Sequence, residues 1–123
     1  MLKYRSDIIF YQKTGENMSK ILVVEDDEKL AKILKIQLEH MGFQVENVYT
    51  GLDAVEKAEN DKNIDLILLD LGLPDVEGNR VCKTISSATS VPIIVVSARS
   101  HIEDKVELLT IGAVDYVTKP YDI

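Results

Sequence analysis

The chain has 123 residues, 46% hydrophobic and 28% charged, which suits one soluble domain built on a single core. Its net charge of −7 comes without a basic stripe, which argues against direct DNA binding, and no apolar run approaches the roughly 18 residues of a membrane helix. A lone cysteine, Cys82, excludes an internal disulfide and fits a reducing, cytoplasmic setting, where it reads as a small buried residue.

Residues 1–18, MLKYRSDIIFYQKTGENM, differ in pattern from the rest of the chain. Their apolar run, Ile8 to Tyr11, is too short for a signal-peptide core, and the segment reads as a poorly ordered N-terminal extension. The domain proper is expected over 19–123. Ile21-Leu22-Val23-Val24 predicts a buried strand, ending in Glu25-Asp26-Asp27. A helix should come next, with Leu30, Ile33, Leu34, Leu38 and Met41 on its inner face, Asp27 as N-cap and Gly42 as the stop. Residues 43–48 alternate as an edge strand does, and 51–60 predict a weaker helix with Leu52, Val55 and Ala58 inward.

Then comes DLILLDLGLPDVEGN, residues 65–79: an apolar run ending on Asp70, then a turn-rich loop. A helix with Val81, Cys82 and Ile85 inward leads to a fourth strand, Ile93 to Ser97. A further helix should bury Ile102, Val106, Leu109 and Leu108 and end at Gly112, before a fifth strand over 115–118 and Lys119-Pro120. Strands alternating with helices at this spacing imply βαβ units, hence a parallel sheet with right-handed crossovers.

In such a sheet the C-terminal strand ends share one edge, where open α/β sheets bind ligands. That edge should collect Glu25, Asp26, Asp70, Ser97 and Lys119. Two carboxylates about 4 Å apart repel by roughly 4 kcal/mol at an effective dielectric near 20, so three of them call for protonation or a cation. All-oxygen donors suit Mg2+. With a phosphoryl group docked there, Asp70 could act as nucleophile and give an acyl phosphate, with Ser97 and Lys119 holding the equatorial oxygens.

ILVVEDDE, DLILLDLGLPDVEG, PIIVVSARS and GAVDYVTKPY, in that order, resemble the receiver domain of two-component response regulators from about Lys20 to Ile123. The resemblance implies a doubly wound five-stranded α/β fold, strand order 2-1-3-4-5. It implies that Asp70 is the phosphoacceptor, taking its phosphoryl group from a partner sensor histidine kinase with Mg2+. Glu25, Asp26, Asp70 and the Gly72 carbonyl would hold the metal, Ser97 and Lys119 would contact the phosphoryl group, and Ser97 with Tyr116 would form the switch. It implies a phosphoacceptor in signal transduction, not a turnover enzyme. The LGLP, VSARS and KPY details look most like winged-helix transcriptional regulators, of the potassium-responsive Kdp-type branch. His40 and His101 are isolated, so the phosphodonor histidine is expected in another protein.

The sequence departs from the family where a fifth helix would follow Lys119-Pro120. Without it, part of one sheet face is expected to be uncovered, with reduced stability, and a homodimer formed on phosphorylation is expected to be weakened. The alternatives are a haloacid-dehalogenase-like Mg2+-dependent phosphohydrolase, a nucleotide- or flavin-binding module, and a non-signalling fragment. The first wants a second aspartate two residues after the nucleophile, where Gly72 stands, and a nucleophile on its first strand. The second wants a glycine-rich phosphate loop, and no strand leads into one.

Overall fold

The computed structural model describes residues 19–97 and 102–118, within which five strands alternate with four helices. They are β1 (Lys20–Val24), α1 (Glu28–His40), β2 (Gln44–Val48), α2 (Gly51–Asn60), β3 (Leu66–Asp70), α3 (Gly78–Ala88), β4 (Ile93–Ser97), α4 (Ile102–Ile111) and β5 (Asp115–Thr118). All four strand pairings are parallel, in the order β2-β1-β3-β4-β5, as expected. A fifth helix has no counterpart among the described residues. The expected extension, 1–18, and Lys119 lie outside them.

β3 and β4 are buried at every position, because central parallel strands carry helices on both faces. Alternate residues feed two cores. Leu22, Val24, Ile67, Leu69, Ile93, Val95 and Tyr116 pack with Ala54, Ala58, Val81, Cys82, Ile85 and Leu108 from α2, α3 and α4. Ile21, Val23, Leu66, Leu68, Ile94 and Val96 face the other way, with Leu34 and Leu38 of α1 and Phe43.

The helix faces correct three expectations. Ile33 in α1 is 53% exposed, and the buried residues there are Ala31, Leu34 and Leu38. In α2, Leu52 is 67% exposed, while Gly51, Ala54 and Ala58 turn inward. In α4, Val106 and Leu109 are exposed and Leu108 is buried, with Ile111 packed against the same core. The side chain of Ile102 lies outside the described part. In α1 and α2 a small residue lets the helix approach the sheet, so Ala31, Ala54 and Ala58 lie on the contact stripe in place of bulkier neighbours, whereas in α4 two apolar stripes at helical spacing compete and the one holding Leu108 is buried.

Local chemistry sets the helix ends. Asp27 caps α1 as expected, its Oδ1 accepting from the backbone amides of Lys29 (3.0 Å) and Leu30 (3.2 Å). Thr50 caps α2 through the Asp53 amide at 3.1 Å. Gly42 (φ 98°) and Gly112 (φ 144°) follow α1 and α4 with the positive φ that glycine tolerates.

Candidate functional site

At the C-terminal edge of the sheet the chain leaves β1 and β3 side by side, since Val24 and Leu69 are paired. Glu25 and Asp26 follow one strand and Asp70 ends the other. One carboxylate oxygen from each of the three comes within 4.8 Å of the others, with Glu25 and Asp70 buried and Asp26 exposed. Two carboxylates are thus fixed in the wall and the third stands at the mouth.

Each is held by the local backbone. The Glu25 amide donates to the Val48 carbonyl (3.1 Å), extending the β1–β2 ladder by one residue. Glu25 Oε2 accepts from the Asp27 amide at 3.3 Å, which folds the β1–α1 turn around its carboxylate. The Gly72 amide donates to Asp70 Oδ1 at 3.1 Å and so orients the central carboxylate. Space for a Cβ exists at Gly72, whose nearest neighbours would be the Asp70 oxygens at 3.7 and 3.8 Å.

The loop after β3 is shaped elsewhere. A Cβ on Gly78 would meet Leu71 Cα at 2.5 Å and Leu71 Cδ2 at 2.6 Å, so only glycine lets α3 start hard against the backbone next to Asp70. Asp75 has a role that sequence reasoning missed. Its two oxygens accept from the amides of Gly51 (2.8 Å) and Leu52 (3.0 Å), tying the loop to the first turn of α2. These bonds, the Gly51 amide first, hold its carboxyl below the usual range. Its turn-rich setting signalled a loop, but no local pattern names an amide 24 residues away.

Ser97 is buried at the end of β4, one residue beyond the Asp70–Val96 pair, and so on the same edge. Tyr116, also buried, pairs with Val95 and packs into the core shared with α4. Glu25, Asp26 and Asp70 are thus brought together, Ser97 lies on the same edge at the end of the neighbouring strand, Tyr116 lies one strand outward, and Lys119 falls outside the described residues.

The donor set fits a hard divalent cation: three carboxylates of two adjacent strands, all oxygen, partly open to water. Glu25, Asp26 and Asp70 would hold such an ion, which would supply positive charge for an incoming phosphoryl group.

A parallel 2-1-3-4-5 sheet with an acidic pocket at the end of its central strand defines a receiver-type α/β module. The chain belongs to the response regulator receiver domain family, whose model matches residues 21–123. It is 44% identical over 106 residues to the response regulator ArlR of Staphylococcus saprophyticus, covering 86% of this chain and 48% of that protein. The chain thus spans about half the length of the curated relatives it matches. These relatives lend the Kdp-type branch no support. A CheY-like receiver domain from Methanospirillum hungatei superposes with a TM-score of 0.80 at 31% identity, covering 85% of this chain and 83% of that one. The receiver domain of the Pseudomonas aeruginosa sensor histidine kinase PA1611, solved with a magnesium ion in its active site cleft, gives 0.75 at 32%, covering 85% and 87%.

Proposed function

We propose that this receiver takes a phosphoryl group from a partner histidine kinase onto Asp70, and that the modification switches a transcription-regulating output. The observation that carries the reading is the meeting of Glu25, Asp26 and Asp70 oxygens within 4.8 Å. Mg2+ would be held by these three and the Gly72 carbonyl, and would supply positive charge beside the phosphoryl group. The magnesium in the cleft of the PA1611 receiver supports that choice of ion, and the ArlR relatives support the regulatory output.

An Asp70 carboxylate oxygen attacks phosphorus. The new O–P bond forms as the P–N bond to the donor imidazole breaks, and the imidazole leaves with the electron pair. The Gly72 amide fixes the carboxylate's orientation during attack. Lys119 and Ser97 contact the phosphoryl oxygens, and movement of Ser97 with Tyr116 carries the change toward α4 and β5. There the exposed apolar residues Val106, Leu109 and Val114 offer a surface for a phosphorylation-dependent homodimer. The protein acts in the cytoplasm as a phosphoacceptor, not a turnover enzyme.

Acetyl phosphate or beryllofluoride with Mg2+, read by intact mass and by NMR, tests this. One modification per chain that disappears in Asp70→Asn is expected. Modification surviving that change, or multiple turnover of phosphate esters, would overturn it.

A further inference from the structure

The acidic pocket draws on two loops, one after β1 and one after β3, and a side chain outside the pocket links their surroundings. Asp75 stands exposed in the loop between β3 and α3, yet both of its oxygens are used. Oδ1 accepts from the Gly51 amide (2.8 Å) and Oδ2 from the Leu52 amide (3.0 Å). These are first-turn amides of α2, which a helix cannot satisfy from within itself. The helix's own cap, Thr50, takes the next amide, that of Asp53, at 3.1 Å. α2 is thus capped twice, once from its own chain and once from the loop that follows Asp70. The fit is close as well as polar. A Cβ on Gly51 would stand 2.8 Å from Val81 Cγ2 and 3.2 Å from Val76 Cβ, so α2 begins hard against this loop and α3.

The start of α2 is tied in turn to the other loop. Tyr49 and Thr50 separate it from Val48, whose carbonyl accepts from the Glu25 amide at 3.1 Å. β1 lies between β2 and β3, so the link joins its two neighbours at the edge where Glu25 and Asp26 leave it. We propose that Asp75 is a positioning residue for the metal site: by holding the β3–α3 loop to α2, it sets the distance from the Gly72 carbonyl to the carboxylates of Glu25 and Asp26. This role rests on the reading that those groups bind Mg2+. Mg2+ demands near-ideal octahedral geometry at about 2.0–2.1 Å, so its affinity is sensitive to where a loop places a ligand. The two ends of the loop are fixed without Asp75. The Leu71 amide donates to the Val96 carbonyl (3.3 Å), the Gly72 amide donates to Asp70 Oδ1 (3.1 Å), and Gly78 packs on Leu71. Between these ends Leu73 and Val76 are only half-buried, which makes Asp75 the polar hold on the middle of the loop.

Comparing the two caps of α2 in the 123-residue protein tests this. Asp75→Asn keeps the size of the side chain but leaves one acceptor oxygen, so one of the two bonds from loop to helix is lost. Thr50→Ala removes the helix's own cap and leaves the loop's hold in place. By calorimetry, Asp75→Asn should weaken Mg2+ binding roughly 5- to 10-fold, toward the low end of what supporting partners of metal ligands contribute, whereas Thr50→Ala should stay within about 2-fold of wild type. Both should lower the melting temperature, since both uncap the same helix. At saturating Mg2+ the rate of modification by acetyl phosphate should return to near the wild-type value in Asp75→Asn, because the ligands themselves are intact. In NMR spectra of the wild-type chain the Gly51 and Leu52 amide signals should shift on Mg2+ addition, and in Asp75→Asn they should shift less, because coupling between two sites is reciprocal. Unchanged Mg2+ affinity in Asp75→Asn, equal losses in both variants, or wild-type Gly51 and Leu52 signals that ignore bound Mg2+ would overturn the proposal alone. A wild-type chain that does not bind Mg2+ would overturn it together with the reading it rests on. An Asp75→Asn chain that fails to fold leaves the wild-type NMR titration to decide.

Discussion

Two clusters of charge, one at each end of the sheet, are built from the same materials to opposite effect. At the C-terminal edge three carboxylate oxygens of Glu25, Asp26 and Asp70 crowd within 4.8 Å. Toward the N-terminal edge the signs alternate. Lys20 Nζ contacts both Asp61 and Glu46 (3.1 Å to Glu46), and Lys57 Nζ contacts Glu46 at 2.6 Å and Asp61 at 3.8 Å. The Lys20 backbone adds a bond from its amide to Asp65 Oδ2 at 2.8 Å. The alternating cluster joins β1, β2 and the end of α2 and stabilises the fold. The like-charged cluster costs stability, which a bound cation would return. Carboxylate clusters are thus distinguished by what stands between them, and that is a matter of topology.

The largest effect at either cluster is expected from Asp70→Asn, which should abolish Mg2+-dependent modification outright while the far-ultraviolet CD spectrum stays native. Asp26→Asn should weaken Mg2+ binding by about 10-fold or more, measured by calorimetry, and in Mg2+-free buffer should leave the melting temperature unchanged or raise it, because one like charge is gone. Gly78→Ala should destabilise by about 1–3 kcal/mol in urea unfolding, since its Cβ meets Leu71 backbone that cannot yield. Lys20→Gln at the other cluster should cost about 1 kcal/mol, opposite in sign to Asp26→Asn.

The smallest effect is pH dependence. The Lys57 hydrogen bond holds Glu46 below its ordinary 4.5, and the Lys20 hydrogen bond holds Asp61 below 3.8. Groups depressed in the folded state contribute stability that is present above the unfolded values and lost as pH falls through the folded ones. Urea midpoints should therefore decline as pH drops below about 4.5, and 1 M salt should flatten that slope. Lys20, raised by its Asp61 bond, contributes the reverse: its share is present below 10.5 and lost as pH rises beyond the folded value.

Much of this was legible in the chain. Apolar runs of four, each ending in a polar or acidic residue, placed the strands nearly to the residue, because a central parallel strand must be apolar on both faces. Their C-terminal residues then named Glu25, Asp26, Asp70 and Ser97 as neighbours. Helix orientation was less legible. Leu52, Ile33 and Val106 look like core residues by hydropathy, but Ala54, Ala31 and Leu108 take those places.

The order of elements and, through the strand ends, the composition of the acidic edge were set by the chain alone, since both come from local periodicity and the handedness of βαβ crossovers. Packing in three dimensions decided which helical stripe is buried, why Gly78 must lack a side chain, and that Asp75 caps a helix it does not belong to. Those outcomes depend on how closely two backbones approach, a distance that no run of residues carries within itself.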